Sequence, residues 1–452
     1  MSTATIEEAM AAIVGAQDVA SGGELSSFAV DGVVPRVALF PGDAAQVAQV
    51  LKLAAEQGLA LTARGGGTMM SLGNPPERVD LLLGMRRMNR ILEHEPADLT
   101  VTVEAGVTLA ALNQRLAEHG QTLALDAPHA GRATIGGMLS ANVSGPRRLG
   151  YGSARDKLIG IKVVDARGVQ IKGGGKVVKN VAGYDLCKLF IGALGTLGII
   201  TEATFKLAPL PKSKATMLGA FAHLEPALAC AAAVMQSALR PVSLDLLNGI
   251  AYRLAAPPAG LPGIGDRDYF LAMEFAGGAA AVERQKALAH RMIAEGQGKP
   301  LLIEEEGSQT ALWREVVNMG RRSDRPASLI TKTGTSVSEV ARLVHGHEAL
   351  AESTNLEVAI EAHIAGGVIR AAWWAEGGGP GDAKLLSETA STLRKASANG
   401  GGTYVVEGAT TAIKRAIEVW GEPGPDFAIM RNLKERFDPG RILSPGRFVG
   451  RL

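Results

Sequence analysis

Three consecutive glycines, Gly65, Gly66 and Gly67, stand between Arg64 and Thr68, directly after the short apolar run 59–63. Glycine carries no Cβ, so a run of it lets several backbone amides close on one anion, such as a phosphate. The spacing excludes two familiar phosphate loops. A Walker loop needs G-x-x-x-x-G-K-[ST] opening a helix, and a dinucleotide turn needs G-x-G-x-x-G opening one. Here Met70 stands three residues after Gly67 where the latter wants glycine, and 69–76 (MMSLGNPP) read as loop. The amides are therefore expected on a loop rather than at a helix start.

Two more glycine-rich stretches follow, 126–160 and 173–211. A single glycine run reads more readily as a tight turn. Three of them, interleaved with strands, fit a long anionic ligand laid across several loops, with small residues leaving room for a flat ring. Residues 144–214 hold thirteen Lys/Arg against four Asp/Glu, while the whole chain carries only +2. Such a segment either serves an anionic ligand or forms a solvated basic face.

The elements that must present these loops are legible around them. Residues 33–40 are apolar enough for a strand. Asp43-Ala-Ala-Gln46 starts a helix in the manner of a capping box, Val47, Val50, Leu51 and Ala54 follow at helical spacing, and Gly58 stops it. With 59–63 as a strand, the order is strand, helix, strand, glycine loop. An opening helix is expected over 6–14, and 99–104 (LTVTVE) alternate as a strand. Thr108 caps a helix carrying Leu109, Leu112 and Leu116, and strand 161–165 ends in a hairpin turn at 166–168.

Pro209 and Pro211 mark a boundary. Beyond it strand-like 242–247, 269–275, 327–331 and 357–364 alternate with helical 226–239, 280–294, 311–319, 336–350 and 383–397, an α+β pattern. A last helix starts at Pro425, places Phe427, Met430, Leu433 and Phe437 on one face, and ends at Asp438-Pro439-Gly440. It is expected to pack back on the first domain. The expected domains are 1–212, 213–415 and a C-terminal segment, 416–452.

A chain of 452 residues, 46% apolar and 20% charged, has globular composition and length for two to three domains. Aromatics at 4% predict a core of Ala, Val, Leu and Ile. Cys187 and Cys230 make no CxxC, no disulfide framework and no cluster-binding run. The start is acidic early and lacks a basic signal region. The apolar stretch 217–239 contains His223, Glu225 and Pro226, so it is not expected to span a bilayer. The expectation is a soluble, intracellular protein with no nucleic-acid partner.

Residues 25–211 resemble the FAD-binding domain of the vanillyl-alcohol oxidase / p-cresol methylhydroxylase superfamily. The likeness lies in RGGGT (64–68), ATIGGMLSANVSGPRRLGYGSARD (133–156) and GGGKVVKNVAGYDLCKLFIGALGTLGIIT (173–201), and LKERFDPGRILSPGRF (433–448) is similar to the group's closing motif. Within the superfamily the chain is most similar to 2-hydroxy-acid dehydrogenases of the glycolate oxidase and D-lactate dehydrogenase kind, and among these to the FAD-binding subunit of glycolate oxidase (the GlcE type).

The resemblance implies an α+β fold: a two-lobed FAD-binding domain, a second α+β cap domain for the substrate, and a C-terminal segment returning to the first. It implies that Arg64, Gly65, Gly66, Gly67, Thr68 and Ser71 wrap the FAD diphosphate. Thr134, Gly136, Gly137 and Ser144 would hold diphosphate and ribityl from the other side. Gly145, Arg148, Tyr151 and Gly152 would lie near the flavin, and Gly195, Gly198, Ile199 and Ile200 would contact the nucleotide through backbone.

Two departures from the family pattern matter. Many relatives attach flavin through a histidine in or near the first loop. Here Thr68, Met69 and Met70 occupy that stretch and His129 lies in the second glycine region, so FAD is expected to be non-covalent. Metal-assisted relatives carry G-H-x-G-D-G-N-x-H and a later E-H-G-x-G. Here EAHIAGGVIR keeps His363 without the second histidine, and VVEGA keeps Glu407 without one. Two or three ligands are needed to fix a divalent ion, and no metal is expected.

The implied reaction moves a hydride from the α-carbon of a small 2-hydroxy acid to flavin N5. It calls for a base for the hydroxyl proton and a cation for the carboxylate, for which arginine is the natural clamp. Arg321, Arg322, Lys332, His363 and Arg370 are the candidates, with His363 and Arg370 foremost. His363 follows a strand-like run and precedes a glycine turn. Electrons must then pass to oxygen, a quinone or a partner. The resemblance implies a second flavin subunit and an iron–sulfur subunit, and a cytoplasmic chain that meets the inner membrane only through such a complex. Two other readings stay open: a chain that holds FAD while another oxidises substrate, and a sugar-lactone or alcohol oxidase of the same fold.

Overall fold

The computed structural model describes residues 2–175, 184–256 and 268–452. They divide into two compact units, the first made of Met1–Ser144, Ser153–Leu210 and Trp420–Leu452, the second of Gly145–Gly152 and Pro211–Val419. The sequence reading puts 145–152 in the first domain, and the structure differs there for a local reason. Gly150 N donates to Val242 O (3.1 Å), and Arg147 Nε donates to Glu274 Oε2 (2.8 Å), so this short segment is tied to strands of the second unit.

In the first unit, α1 (Thr3–Val14) precedes β1 (Val37–Leu39), α2 (Ala44–Gln57), β2 (Leu61–Arg64) and β3 (Leu81–Gly84). Asp43 accepts from Gln46 N (2.8 Å) at the start of α2, while Gln46 Oε1 reaches back to Gly42 N (2.7 Å). Gly58, with φ 61°, ends it in the left-handed cap that glycine tolerates best. The buried face of α2 is Val47, Val50, Leu51 and Ala54. Strands β1 and β2 both pair parallel with β3, and β1 also pairs with Val19–Ala20. On its other side β2 is joined by the C-terminal segment: Leu61 N donates to Ile442 O (2.7 Å) and Ser444 N to Leu61 O (2.8 Å). Strand β2 then delivers the chain to the glycine run.

A second sheet of this unit contains β4 (Ile91–Glu95), β5 (Thr100–Glu104), β6 (Leu158–Val164), β7 (Gln170–Gly174) and β8 (Ile199–Lys206), in the order β4-β5-β8-β6-β7. Helices α3 (Leu109–Ala117) and α4 (Ile135–Ala141) belong to the same unit, and α3 is capped by Thr108 accepting from Ala111 N.

The C-terminal helix Phe427–Phe437 also lies in this unit. Its expected apolar face is only half-buried, and the residue it buries is Lys434. The Lys434 ammonium donates to Thr196 O (2.9 Å), Leu443 O (2.8 Å) and Asp438 Oδ2 (2.6 Å). It therefore staples the third glycine loop to the C-terminus. Removing one partner of a buried pair leaves the other charge uncompensated, at a cost of about 3–5 kcal/mol. Lys434→Met should lower unfolding stability by that order in denaturant titrations. A loss under about 1 kcal/mol would show the pair to be dispensable.

The second unit is built on one eight-stranded antiparallel sheet. Its strands are β9 (Ser213–Phe221), β10 (Ser243–Asn248), β11 (Tyr269–Gly277), β12 (Lys299–Ile303), β13 (Leu329–Gly334), β14 (Leu356–His363), β15 (Val368–Ala375) and β16 (Thr403–Ala409). Their order is β12-β9-β11-β10-β14-β15-β13-β16. Helices α5 (Leu224–Gln236), α6 (Gly249–Ala255), α7 (Ala279–Glu295), α8 (Glu306–Val317), α9 (Val340–Thr354) and α10 (Ala383–Asn399) lie between the strands; all but α6, which the sequence reading did not include, overlap the expected helical spans. On one face Leu218, Leu247, Phe270, Ala359, Ala372 and Trp374 pack beneath Tyr252 of α6 and Leu312 and Trp313 of α8. Among the described residues no helix is long and apolar enough to cross a membrane.

Candidate active site

The glycine run after β2 lines a cleft in the first unit. Gly65, Gly66, Gly67 and Thr68 form one wall. Among the described residues, the amides of these four donate to no protein acceptor, which makes the donor-rich concavity an anion needs. The run has no room for side chains. A Cβ on Gly66 would stand 1.7 Å from Arg132 O, and one on Gly65 2.0 Å from Thr134 Oγ1. Gly67 is held at φ 74°, where a side chain is strained.

Thr134, Gly136 and Gly137, at the start of α4, form the facing wall, and Gly195, Gly198, Ile199 and Ile200 complete it. Two amides of this wall are engaged within the protein. Thr134 Oγ1 accepts from Gly137 N (3.3 Å), and Gly136 N donates to Ala105 O (2.8 Å). These bonds hold the loop in place, and Gly136 is small because a Cβ would stand 2.7 Å from Ala105 Cβ.

Other expected residues lie elsewhere. The Arg64 guanidinium donates to Ser27 O (3.0 Å) and sits over the Phe28 ring, and Arg64 is not among the residues lining the cleft. Ser71 is exposed, and neither it nor Ser144 lines the cleft. Gly145, Arg148, Tyr151 and Gly152 belong to the second unit. Residues 176–183 of the third glycine stretch lie outside the described residues.

Sequence reasoning missed Met69, Met70, Met85, Ala105 and Arg447 as lining residues. Arg447 is buried; its Nη2 donates to Met70 O (2.9 Å), and its Nη1 lies 3.6 Å from Asp31 Oδ2. Desolvation holds its pKa below the ordinary arginine value, and Asp31 opposes the shift. Arg447 lies inside the SPGRF stretch of the C-terminal motif, which was the available signal. A bank of unengaged donors, glycines with no space for a Cβ, and apolar walls from Met85, Ala105 and Ile199 together fit a dinucleotide carrying a flat ring.

In the second unit, sheet register gathers charge. Asp245 pairs with His363 across β10 and β14, Glu361 with Arg370 across β14 and β15, and Arg370 with Lys332 across β15 and β13. Side chains alternate along a strand, so residues paired directly or two apart share a face. Asp245, His363, Glu361, Arg370 and Lys332 therefore stand on the face whose other part α6 and α8 cover. A bulge lies where Ile330 pairs with Gly408 but Thr331 with Val406, and Glu407 is the extra residue.

Glu407 accepts from Arg321 Nη2 (3.0 Å) and lies 3.8 Å from Arg370 Nε and 3.9 Å from Lys332 Nζ. Burial pushes its pKa up, but Arg370, Arg321 and Lys332 together hold it below the usual carboxylate value. Lys332 is held below the ordinary lysine value, chiefly by burial; Glu407 opposes this, while Arg370 and Arg148 add to it. Arg148 thus bears on this cluster. Arg322 lies at the surface, paired with Asp324, and does not join it.

His363 Nδ1 lies 3.1 Å from Asp245 Oδ1, with both side chains buried. A carboxylate accepts, so a proton sits on His363 Nδ1.

Residues 35–174 match the family described as FAD binding domain, and residues 210–448 match FAD linked oxidases, C-terminal domain. The chain belongs to the FAD-linked oxidases. This FAD-linked oxidase is 27% identical to glycolate oxidase subunit GlcD of Bacillus subtilis (strain 168), over 92% of this chain and 90% of the relative. It is also 27% identical to a D-2-hydroxyglutarate dehydrogenase of Xanthomonas citri pv. viticola, over 91% of this chain and 89% of that one. Among solved structures, p-cresol methylhydroxylase with substrate bound superposes with a TM-score of 0.78 at 18% identity, covering 98% of this chain and 96% of that one. At that identity the likeness concerns the fold. The FAD-linked oxidase is thus an FAD-dependent oxidoreductase with the p-cresol methylhydroxylase type of fold.

Proposed function

We propose that this chain dehydrogenates a small 2-hydroxy acid of the glycolate and D-lactate class, with FAD held non-covalently. One observation carries the reading: Arg321, Lys332 and Arg370 surround Glu407 on the sheet face that also holds the His363–Asp245 pair. When bound, FAD supplies the hydride acceptor. Lys332 and Arg370 provide charge-assisted hydrogen bonds for the substrate carboxylate. His363 Nε2 takes the hydroxyl proton, and Asp245 orients the ring and stabilises the imidazolium that results. The names of the relatives, a glycolate oxidase subunit and a D-2-hydroxyglutarate dehydrogenase, support the same substrate class. The Bacillus subtilis relative is named as a subunit, which supports electron delivery to a partner subunit.

Non-covalent binding is supported by the cleft itself, whose described lining contains no His, Cys or Tyr; His129 lies outside it. Acid precipitation should leave the yellow colour in the supernatant, and a yellow pellet would contradict this.

The substrate class is tested by steady-state rates with glycolate, D-lactate and D-2-hydroxyglutarate against esters that remove the carboxylate beside the hydroxyl. Losing a charged hydrogen bond of about 1.5–3 kcal/mol should lower kcat/KM at least about tenfold. Equal rates with acid and ester would exclude the cationic clamp.

A further inference from the structure

We infer that Glu361 is held as a neutral carboxylic acid that shares its proton with Asp245, and that this proton sets the basicity of His363. The second half rests on the reading of His363 as the base. Glu361 precedes His363 by two residues on β14 and shares its face, while Asp245 faces His363 from β10. Glu361 is 1% exposed. Its Oε2 accepts from Arg370 Nη1 (3.3 Å), whereas its Oε1 is buried and meets no donor among the described residues.

The register of β10 against β14 makes Asp245 and Glu361 diagonal neighbours on one face, and the Asp245 carboxylate pushes the Glu361 pKa up. Two ionised carboxylates are both acceptors and repel each other. One proton between them turns the contact into a hydrogen bond, the arrangement of a carboxyl dyad. Asp245 already accepts from His363 Nδ1, which favours its ionised form, so the proton rides on Glu361.

The charged groups facing Glu361 are Arg370 on β15, Asp245 on β10 and His363 on its own strand. Beyond Arg370 lie Glu407 of β16, Lys332 of β13 and Arg321. Burial pushes the Glu361 pKa up to about 8; Arg370 opposes this most, Asp245 adds to it, and His363 opposes it more weakly. Near neutrality the dyad therefore carries one negative charge. Once the proton leaves, two charges face His363 and Arg370. The imidazole then holds a proton more tightly, Arg370 is drawn to Glu361, and turnover falls. Because the folded pKa is raised, the stability this proton confers is complete below the ordinary carboxylate range and lost as pH rises through about 8.

The test is infrared spectroscopy of the FAD-loaded protein between pH 6 and 9.5, with kcat/KM for a 2-hydroxy acid across the same range. The wild type should show a buried protonated-carboxyl band that shifts in D2O and disappears through about pH 8. Glu361→Gln should lack the band and lose the alkaline limb, which in the wild type falls about tenfold per pH unit. No such band in the wild type at pH 6–7, or a band surviving in Glu361→Gln, would overturn the inference, and the wild-type measurement needs no variant to fold. A band that behaves as stated in a protein inert towards every 2-hydroxy acid would sustain the dyad and reject the substrate reading. An alkaline limb that survives in Glu361→Gln would overturn the link to His363.

Discussion

Gly66→Ala should purify colourless. The new Cβ would lie 1.7 Å from Arg132 O and 2.6 Å from Arg132 C, whereas real Cβ atoms essentially never come under 3.0 Å. The obstacle is main chain, so it cannot rotate aside. Arg132 Nη2 also donates to Gly66 O (3.3 Å), which holds the two strands of chain together. Relief requires the 65–68 loop to swing away, and this dismantles the four-amide wall. Loss of several such donors to a phosphate is worth more than about 3 kcal/mol, or at least a hundredfold in FAD affinity. Gly131→Ala is the matched control, because nothing lies within 4 Å of its Cβ position. The ratio of visible to protein absorbance after purification is the readout. A yellow Gly66→Ala protein would mean that the run does not hold the cofactor.

Asp245→Asn should bind FAD normally and turn over about 10²–10⁴-fold more slowly. The substitution keeps the shape of the side chain and removes the acceptor that fixes the proton on His363 Nδ1. An amide can donate to Nδ1 instead, which moves the proton to Nε2 and leaves no lone pair for the substrate hydroxyl. The same exchange in a serine protease triad costs about 10⁴ in kcat. The flavin spectrum reports that the first unit is intact, and kcat reports the tautomer. A kcat within threefold of wild type would remove His363 from the role of base.

The first unit was largely legible because its function is written in missing side chains. Gly65–Gly67 announce a close approach of backbone whatever lies opposite. What lies opposite, Arg132 O and Thr134 Oγ1, comes from sixty-odd residues later and leaves no local trace. The Arg64 guanidinium turns to Ser27 O, a partner thirty-seven residues earlier that nothing local announces. Lys434 hid on a helix that reads as apolar at Phe427, Met430, Leu433 and Phe437, although its partner Asp438 is four residues on.

The second unit was legible as alternating strands and helices but not as a site. Asp245 and His363 are 118 residues apart and meet only through the pairing of β10 with β14. A one-residue slip would turn every one of these side chains to the opposite face. Glu407 joins the cations only because a bulge leaves it unpaired in the register. Arg321 and Arg322 are neighbours with similar sequence surroundings, yet Arg321 enters the cluster and Arg322 stays at the surface.

The most direct measurement is anaerobic mixing of the isolated, FAD-loaded chain with glycolate, D-lactate or D-2-hydroxyglutarate while its visible absorbance is followed. The account predicts bleaching by at least one of these acids with no partner present, and little bleaching in Asp245→Asn. A flavin that stays oxidised with all three until another subunit is added, or that bleaches only with alcohols or sugars, would contradict it.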